Sequence, residues 1–197
     1  MMKLGLTLFS LAAGSAVAFA PSSQTAKSTS AISAKSDYAN VPGVAAPLGV
    51  FDPLNVLSNP KNDRSVFDDF RYKELKHGRV AMLGVVGYLT TKAGIRLPGL
   101  EDVPAGWAAW NELPDPVVAQ LGCTWILMEM ANQDQTGDAE FPGDFRNGAL
   151  DFGWDKQTAE WKQKKRTLEL QQGRAAQMGM FGLMVHDAMG NVDSILP

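Results

Sequence analysis

The chain has 197 residues, of which 45% are hydrophobic, and its formal net charge is −3. This length fits one domain plus processing segments, and the slightly acidic balance gives no indication of nucleic-acid binding. A single cysteine, Cys123, excludes an intrachain disulfide framework, and its apolar sequence context favours a packed thiol.

The N-terminus has the composition of a two-part targeting sequence. Lys3, an apolar run at 4–13 and small residues at 16–18 are typical of a secretory signal peptide. The following residues are rich in Ser, Thr and Lys and contain no acid, as in organelle transit peptides. We therefore predict a signal peptide at 1–18, a plastid transit peptide at about 19–35 and a folded domain at 36–197. A secreted protein with a Ser-rich linker is the alternative.

Three helices are predicted in the folded domain, and the fold class is all-α. Asn62 or Asp63 is expected to cap the first helix, and Gly94 is expected to end it. A connection rich in Gly and Pro follows, then a second apolar segment, a loop rich in Gly and Asp, and a long third helix. The predicted helices are at about 64–92, 115–131 and 157–189.

The distribution of charge favours membrane insertion, although hydropathy alone favours a soluble chain. None of the three helices offers the roughly 20 clean apolar residues of a spanning segment. Basic residues nevertheless cluster before or early in the first and third helices, and no Lys or Arg follows Arg174. Three spans would place both basic clusters on one face, as the positive-inside rule requires. We therefore predict three transmembrane helices, provided that the charges inside them are paired.

A helical motif occurs twice in the chain. The segment 74–87 recurs at 169–182, 95 residues later, with Glu, Leu, Gly, Arg, Ala and two further Gly in register. Each copy is apolar after its Arg and contains no Pro, so each fits a helix that runs from a charged end into an apolar end. The first and third helices are therefore expected to form a crossed pair related by a pseudo-two-fold axis.

The spacing inside the motif predicts reciprocal ion pairs between the two copies. Arg79 lies five residues after Glu74 and points about 140° away from it, so it cannot easily neutralise its own Glu. In a crossed pair, Glu74 meets Arg174 while Glu169 meets Arg79, and both pairs cancel charge beside apolar segments. Replacing Arg174 is expected to leave Glu74 without a partner. Gly78 and Gly173 would permit close approach of helices or of a flat ligand.

The Glu-x-x-His spacing of Glu74 and His77 has a competing interpretation as half of a di-metal carboxylate site. That architecture needs a second Glu-x-x-His, but the second copy has Gln172 in place of His, and only three helices are predicted. A soluble helical metalloprotein or interaction module is the alternative of a different class. No Ser or Cys with an orienting acid accompanies either His, so no catalytic site is predicted and we expect no enzymatic activity.

Single donors on helices suit a ring-bound magnesium, which has four equatorial nitrogens and needs one axial ligand. A neutralising Arg makes a carboxylate tolerable in that role within an apolar layer. The available donors on the predicted helices are Glu74, His77, Glu169, Gln172 and His186.

These residues carry a resemblance to a known family. Glu-x-x-His-Gly-Arg at 74–79 and Glu-x-x-Gln-Gly-Arg at 169–174 resemble the signatures of the light-harvesting chlorophyll-binding proteins. The loop 141–155 and the run 172–179 are most similar to fucoxanthin-chlorophyll a/c-binding proteins of diatoms and related algae. The resemblance covers about residues 45–197 and implies a three-helix thylakoid fold that absorbs light and passes excitation to a photosystem.

The resemblance also implies cofactors, ligands and partners. Chlorophyll a, chlorophyll c and fucoxanthin or another xanthophyll are expected, together with other antenna subunits in an oligomer, a photosystem core and the plastid thylakoid membrane. Gln120 is the favoured ligand on the middle helix and Glu129 a weaker one. An interhelical hydrogen bond for Gln120 and interfacial positions for Glu129 and His186 are the alternatives. A photoprotective, energy-dissipating role is the alternative function, because it uses the same fold and ligands. The expected cofactor-binding residues are Glu74, His77, Arg79, Gln120, Glu129, Glu169, Gln172, Arg174 and His186.

Overall fold

A computed structural model describes residues 38–45, 47–57, 64–134, 137, 139–147 and 151–196. Across these ranges the regular structure is helical, with one isolated bridge between Ala45 and Gly49 and no strand, so the all-α class is confirmed. The predicted targeting segments at 1–18 and 19–35 and the predicted caps Asn62 and Asp63 lie outside the described residues. The main helices are α1 (Arg64–Lys92), α2 (Asp115–Ala131) and α3 (Ala159–Ala188).

The helix ends follow ordinary capping chemistry. Thr158 caps α3 by accepting a hydrogen bond from the backbone N–H of Trp161 at 3.4 Å. Pro116 lies in the first turn of α2, where the missing N–H has no intrahelical acceptor to lose. After α1, Gly94 takes a positive φ of 84° and its N–H bonds the carbonyl of Thr91, a glycine-terminated helix end.

The connection between α1 and α2 has more structure than its Gly and Pro content predicts. It contains a 3₁₀ turn (Gly106–Ala108) and a one-turn helix (Ala109–Glu112). Asp187 of α3 accepts hydrogen bonds from the backbone N–H of Trp107 at 2.7 Å and from the hydroxyl of Tyr88 at 2.9 Å. A single carboxylate thus ties the connection to the far ends of both long helices.

The core of the domain is the seam between α1 and α3. Leu75 and Gly78 are buried on α1, and their repeat equivalents Leu170 and Gly173 are buried on α3. A Cβ atom built on Gly78 would lie 3.0 Å from the Cα of Gly173, so the two backbones cross in direct contact. The predicted pairing of the first and third helices is therefore observed, with the two glycines at the crossing point.

Much of the apolar surface outside this seam is exposed. No residue of α2 is buried, and large side chains such as Trp125, Ile126 and Leu127 are more than 60% exposed. Leu83 of α1 and Phe181 of α3 are exposed to a similar degree. Within the described residues, none of the helices combines the length and the apolar character needed to cross a membrane. Three membrane spans are therefore not confirmed.

The glycine crossing generates a test of the seam. Gly173→Ala should separate α1 from α3, because its new methyl group would meet the backbone of Gly78 at 3.1 Å. Gly179→Ala is the matched control, since a Cβ there meets nothing within 4 Å and the change favours the helix by about 1 kcal/mol. Thermal unfolding followed by circular dichroism should give a lower midpoint for Gly173→Ala and an unchanged or higher one for Gly179→Ala. Equal midpoints would contradict a backbone crossing at this position.

Candidate functional site

Two reciprocal ion pairs join the repeated motifs. Arg79 Nε donates to Glu169 Oε1 at 2.7 Å, and Arg174 Nε donates to Glu74 Oε1 at 2.6 Å. The predicted exchange of partners between the two copies is confirmed. The two carboxylates are 28% and 30% exposed within the protein, so neither is sealed from whatever surrounds the helices.

Each arginine also holds a Pro-Gly turn, which the sequence analysis missed. Arg79 Nη1 donates to the carbonyl of Gly143 at 2.9 Å, and Arg174 Nη1 donates to the carbonyl of Gly43 at 2.8 Å. Both glycines have a φ near +90°, and a Cβ on Gly43 would press on Leu170, whereas one on Gly143 would press on Leu75, in each case the Leu on the same helix as the arginine that holds the turn. The pseudo-symmetry therefore extends to the loops. The repeated dipeptides Pro42-Gly43 and Pro142-Gly143 are the sequence signal that could have revealed it.

The two carboxylates differ in their second oxygen. Glu74 Oε2 accepts a hydrogen bond from Arg71 Nη1 at 2.7 Å, so this carboxylate has two guanidinium partners. The structure gives Glu169 Oε2 no such partner among the described residues. The expectation that Arg174 alone neutralises Glu74 is therefore wrong, because Arg71 lies one helical turn earlier on α1. Oε2 of Glu169 is therefore more available to a metal ion than either oxygen of Glu74.

Within the described ranges, both histidines have one ring nitrogen engaged and the other without a partner. His77 Nδ1 lies 2.7 Å from the carbonyl oxygen of Lys73, and His186 Nδ1 lies 3.0 Å from Oδ1 of Asn191. An oxygen acceptor requires that Nδ1 carry the proton, so in the neutral ring Nε2 holds the free lone pair. This second contact fixes the tautomer and the orientation, as it does for histidines that bind metals. His77 is exposed and His186 is half-buried.

The amide candidates are exposed, and Glu129 is already paired. The structure gives the side-chain amides of Gln120 and Gln172 no hydrogen-bond partner within the described residues, and both are exposed. Glu129 Oε2 instead accepts from Lys76 Nζ at 2.5 Å, which links the end of α2 to α1. A structural link therefore accounts for Glu129, and its role as a ligand stays a prediction.

The structure brings the predicted residues together only in part. Glu74, Arg79, Glu169 and Arg174 meet at the crossing of α1 and α3, whereas His186 lies near the C-terminal end of α3 and Gln120 lies on α2. In the part of the chain that the structure describes, no group of three or more His, Cys, Asp or Glu could hold a metal ion by itself. The di-metal alternative needs such a group, whereas a single axial ligand does not.

Arg146 organises the loop that carries Gly143, another feature missed in the sequence. Its guanidinium and backbone N–H contact the buried carboxylate of Asp144, and the guanidinium also reaches Glu140, Asp151 and Asp155 within 3.4 Å. The hydrogen bonds that Asp144 accepts, chiefly from the Arg146 side chain and also from the backbone N–H groups of Arg146 and Glu140, lower its pKa to about 2. Ion pairs as well as turn geometry therefore stabilise the loop whose Gly143 carbonyl accepts a hydrogen bond from Arg79.

Comparison with known proteins gives concordant results. A family model described as "Chlorophyll A-B binding protein" matches residues 37–188. The chain is 46% identical to "Fucoxanthin-chlorophyll a-c binding protein D, chloroplastic" of Phaeodactylum tricornutum, over 95% of this chain and 96% of that protein. It is 43% identical to "Fucoxanthin-chlorophyll a-c binding protein, chloroplastic" of Trieres chinensis, over 96% of each chain. A Macrocystis pyrifera "Fucoxanthin-chlorophyll a-c binding protein A, chloroplastic" is 40% identical, over 85% of this chain and 79% of that protein.

The unequal pairing of the two carboxylates predicts unequal effects of removing the arginines. Arg79→Leu leaves Glu169 without an ion-pair partner among the described residues and should cost about 2–3 kcal/mol of unfolding free energy, whereas Arg174→Leu leaves Glu74 bonded to Arg71 and should cost about 1 kcal/mol. Both variants lose one hydrogen bond to a Pro-Gly turn, so that loss cancels in the comparison. Denaturant unfolding of the two variants measures the difference. Equal costs would contradict a shared role of Arg71.

The braced loop predicts a specific dependence on pH. Because the pKa of Asp144 falls from its ordinary 3.8 to about 2 on folding, its contribution is complete above about pH 4 and is lost as the pH falls through 2. Asp144→Asn should therefore lower the unfolding free energy at neutral pH by about 1–2 kcal/mol and flatten its decline below about pH 4. Asp102→Asn replaces an exposed acid in another loop and is the control. It should change neither the unfolding free energy at neutral pH nor its decline below about pH 4. An unaltered pH profile for Asp144→Asn would contradict the assignment.

Proposed function

The chain belongs to the chlorophyll A-B binding protein family, and we propose from this that it is a light-harvesting antenna protein of the plastid thylakoid membrane. It binds chlorophyll a, chlorophyll c and fucoxanthin or another xanthophyll, as the names of its relatives indicate for those proteins. It absorbs light and passes excitation to a photosystem core, in association with other antenna subunits. It has no catalytic role.

One observation carries the proposal: the magnesium-capable side chains of the described residues form no cluster that could hold a metal ion by itself, and all of them except Glu74 keep a donor atom without a partner there. Chlorophyll supplies four ring nitrogens and requires a single axial ligand, so isolated donors fit it and clusters are unnecessary. Nε2 of His77 and of His186 and Oε2 of Glu169 are open in this sense. The residues that would hold magnesium are Glu74, His77, Gln120, Glu169, Gln172 and His186.

The exposed apolar surface supports bound pigment. Because α2 buries no residue and an ion pair from Lys76 to Glu129 joins it to α1, large apolar molecules are needed to fill the space around it. A cavity of about 810 Å³ also lies between the second halves of α1 and α3 and the connection, lined by Tyr88, Leu97, Trp107 and Met180 among others. A lining of this kind suits the apolar part of a pigment.

Helix length and the pairing of charges support three membrane spans. At about 1.5 Å per residue, α1 and α3 are about 44–45 Å long and exceed a hydrocarbon layer of about 30 Å, whereas α2, about 25 Å long, requires local thinning. The reciprocal ion pairs neutralise four charges near the crossing point, which is what insertion of these helices requires. Their basic first halves would then lie on one face of the membrane.

Absorbance of the native protein tests the functional class. Purified from its membrane, the protein should show chlorophyll bands in the red and carotenoid bands in the blue-green. A colourless protein that stays in buffer without detergent would contradict the proposal and would favour the soluble helical alternative.

Adjacent glutamines on α3 allow a matched test of ligation. Gln172→Leu should lose one chlorophyll per polypeptide after reconstitution with pigments, because its amide oxygen is the proposed axial donor. Gln171→Leu removes the same group one residue earlier, also from an exposed position, and should retain the full complement. Pigment extraction and counting per polypeptide measure both variants. An equal chlorophyll content in the two variants would contradict the assignment of Gln172.

A further inference from the structure

The basic ends of α1 and α3 enclose a second cavity, of about 440 Å³, in which Glu169 is the single lining residue among the proposed pigment ligands. It is lined by both repeats and by both Pro-Gly turns, so it lies close to the pseudo-two-fold axis. Arg71 of α1 and Arg166 of α3 occupy equivalent positions in the duplicated sequence, and both line the cavity. We refer to it as the axial basic cavity; its charged lining residues are Arg64, Asp68, Arg71, Glu140, Arg166 and Glu169.

The acids of the axial basic cavity already have cationic partners. Asp68 pairs with Arg64 at 3.4 Å, and Glu169 pairs with Arg79 at 2.7 Å from outside the cavity. Glu140 likewise contacts cations outside the lining set, Lys162 and Arg146, and accepts from the indole of Trp154. Each lining acid therefore has a closer cation than Arg71 or Arg166, and Glu140 and Glu169 act on Arg166 only over a longer distance, without an ion pair.

The two equivalent arginines have N–H groups that no acceptor among the described residues satisfies. Arg71 shares the single carboxylate of Glu74 with Arg174, its side chain is 10% exposed, and its buried Nε–H has no acceptor in the described part of the chain. Arg166 lies over the ring of Phe141, 4.0 Å from its centre, and the structure gives its guanidinium no carboxylate or hydrogen-bond acceptor among the described residues. A guanidinium stacked on an aromatic face keeps its N–H edge available for a bidentate acceptor. Leaving buried donors and charge uncompensated is costly.

We propose that the axial basic cavity binds a phosphate oxyanion, with Arg166 as its main ligand and Arg71 as the neighbouring charge. Phosphate presents several oxygens that match the donor fork of a guanidinium, and these oxygens would accept from the N–H groups that the described residues leave without acceptors. The phosphate can belong to a phospholipid head group or be free in solution. The cavity lies at the basic end of the helices, where a membrane head group would lie if the proposed spans are correct.

Binding can be tested on the pigmented, detergent-solubilised complex with two phosphate sources. Inorganic phosphate is titrated against chloride at equal ionic strength, with the unfolding midpoint as readout. For the phospholipid source, the readout is the number of anionic phospholipid molecules retained per polypeptide. It is counted after purification and again after exchange into phospholipid nanodiscs. Stabilisation by inorganic phosphate alone identifies a free anion, and retained phospholipid identifies a head group; either result supports the proposal. If neither source binds, the proposal is overturned.

Two variants make the test specific to the cavity. Arg166→Leu should weaken binding by about tenfold or more, because it removes a charge-assisted bidentate donor. Lys164→Leu removes an equal charge from an exposed position of the same helix and should bind as the parent protein does. The chlorophyll count checks that Arg166→Leu is assembled, since Arg166 is not a proposed pigment ligand. Equal affinity in the two variants would overturn the proposal, because binding would then reflect general positive charge.

Discussion

Two ion pairs exchanged between α1 and α3 are the interaction on which the rest of the structure depends. Each arginine bonds the carboxylate of the opposite helix and the carbonyl of a Pro-Gly turn, so one side chain fixes both a helix crossing and a loop. The same pairing leaves Glu169 with an open oxygen and neutralises charge that would otherwise oppose insertion into an apolar layer. Assembly and pigment ligation therefore have the same geometric requirement.

The glycines make that arrangement sterically possible. Gly78 and Gly173 let the two backbones touch, which brings Glu74 and Arg174 within hydrogen-bond distance across the seam. Gly43 and Gly143 adopt backbone conformations that residues with a Cβ rarely take, and they pack directly on Leu170 and Leu75. Small residues thus determine where the charged residues meet.

Much of this arrangement follows from the sequence because it is duplicated. The five-residue spacing from Glu to Arg turns the two side chains away from each other, so the motif Arg is expected to pair with the Glu of the other copy, and the structure has these pairs. The helix limits also follow from local signals. Helix α3 begins at Ala159, after the cap at Thr158 and two residues after the predicted start at about 157. The crossing of two glycines follows from the same alignment of the copies.

The remaining features depend on tertiary contacts that spacing does not determine. Arg71 and Arg166 both precede a motif Glu by three residues, yet Arg71 bonds Glu74 while Arg166 stacks on Phe141. Which of these occurs depends on the loops packed against each helix. The contacts of Arg146 also join residues of an irregular loop, where no periodicity indicates which acids will meet. The pairing of Glu129 with Lys76 depends on the position of α2, to which the repeat contributes nothing.

A double replacement at one ion pair tests most directly whether pairing and ligation are joined at the same carboxylate. Arg79→Leu combined with Glu169→Leu removes both charges, so the account predicts better assembly with pigment than Arg79→Leu alone and one chlorophyll fewer than the parent protein. The measurement is the yield of pigmented complex and its chlorophyll count per polypeptide. Assembly no better than that of Arg79→Leu, or a full chlorophyll count in the double variant, would contradict the account.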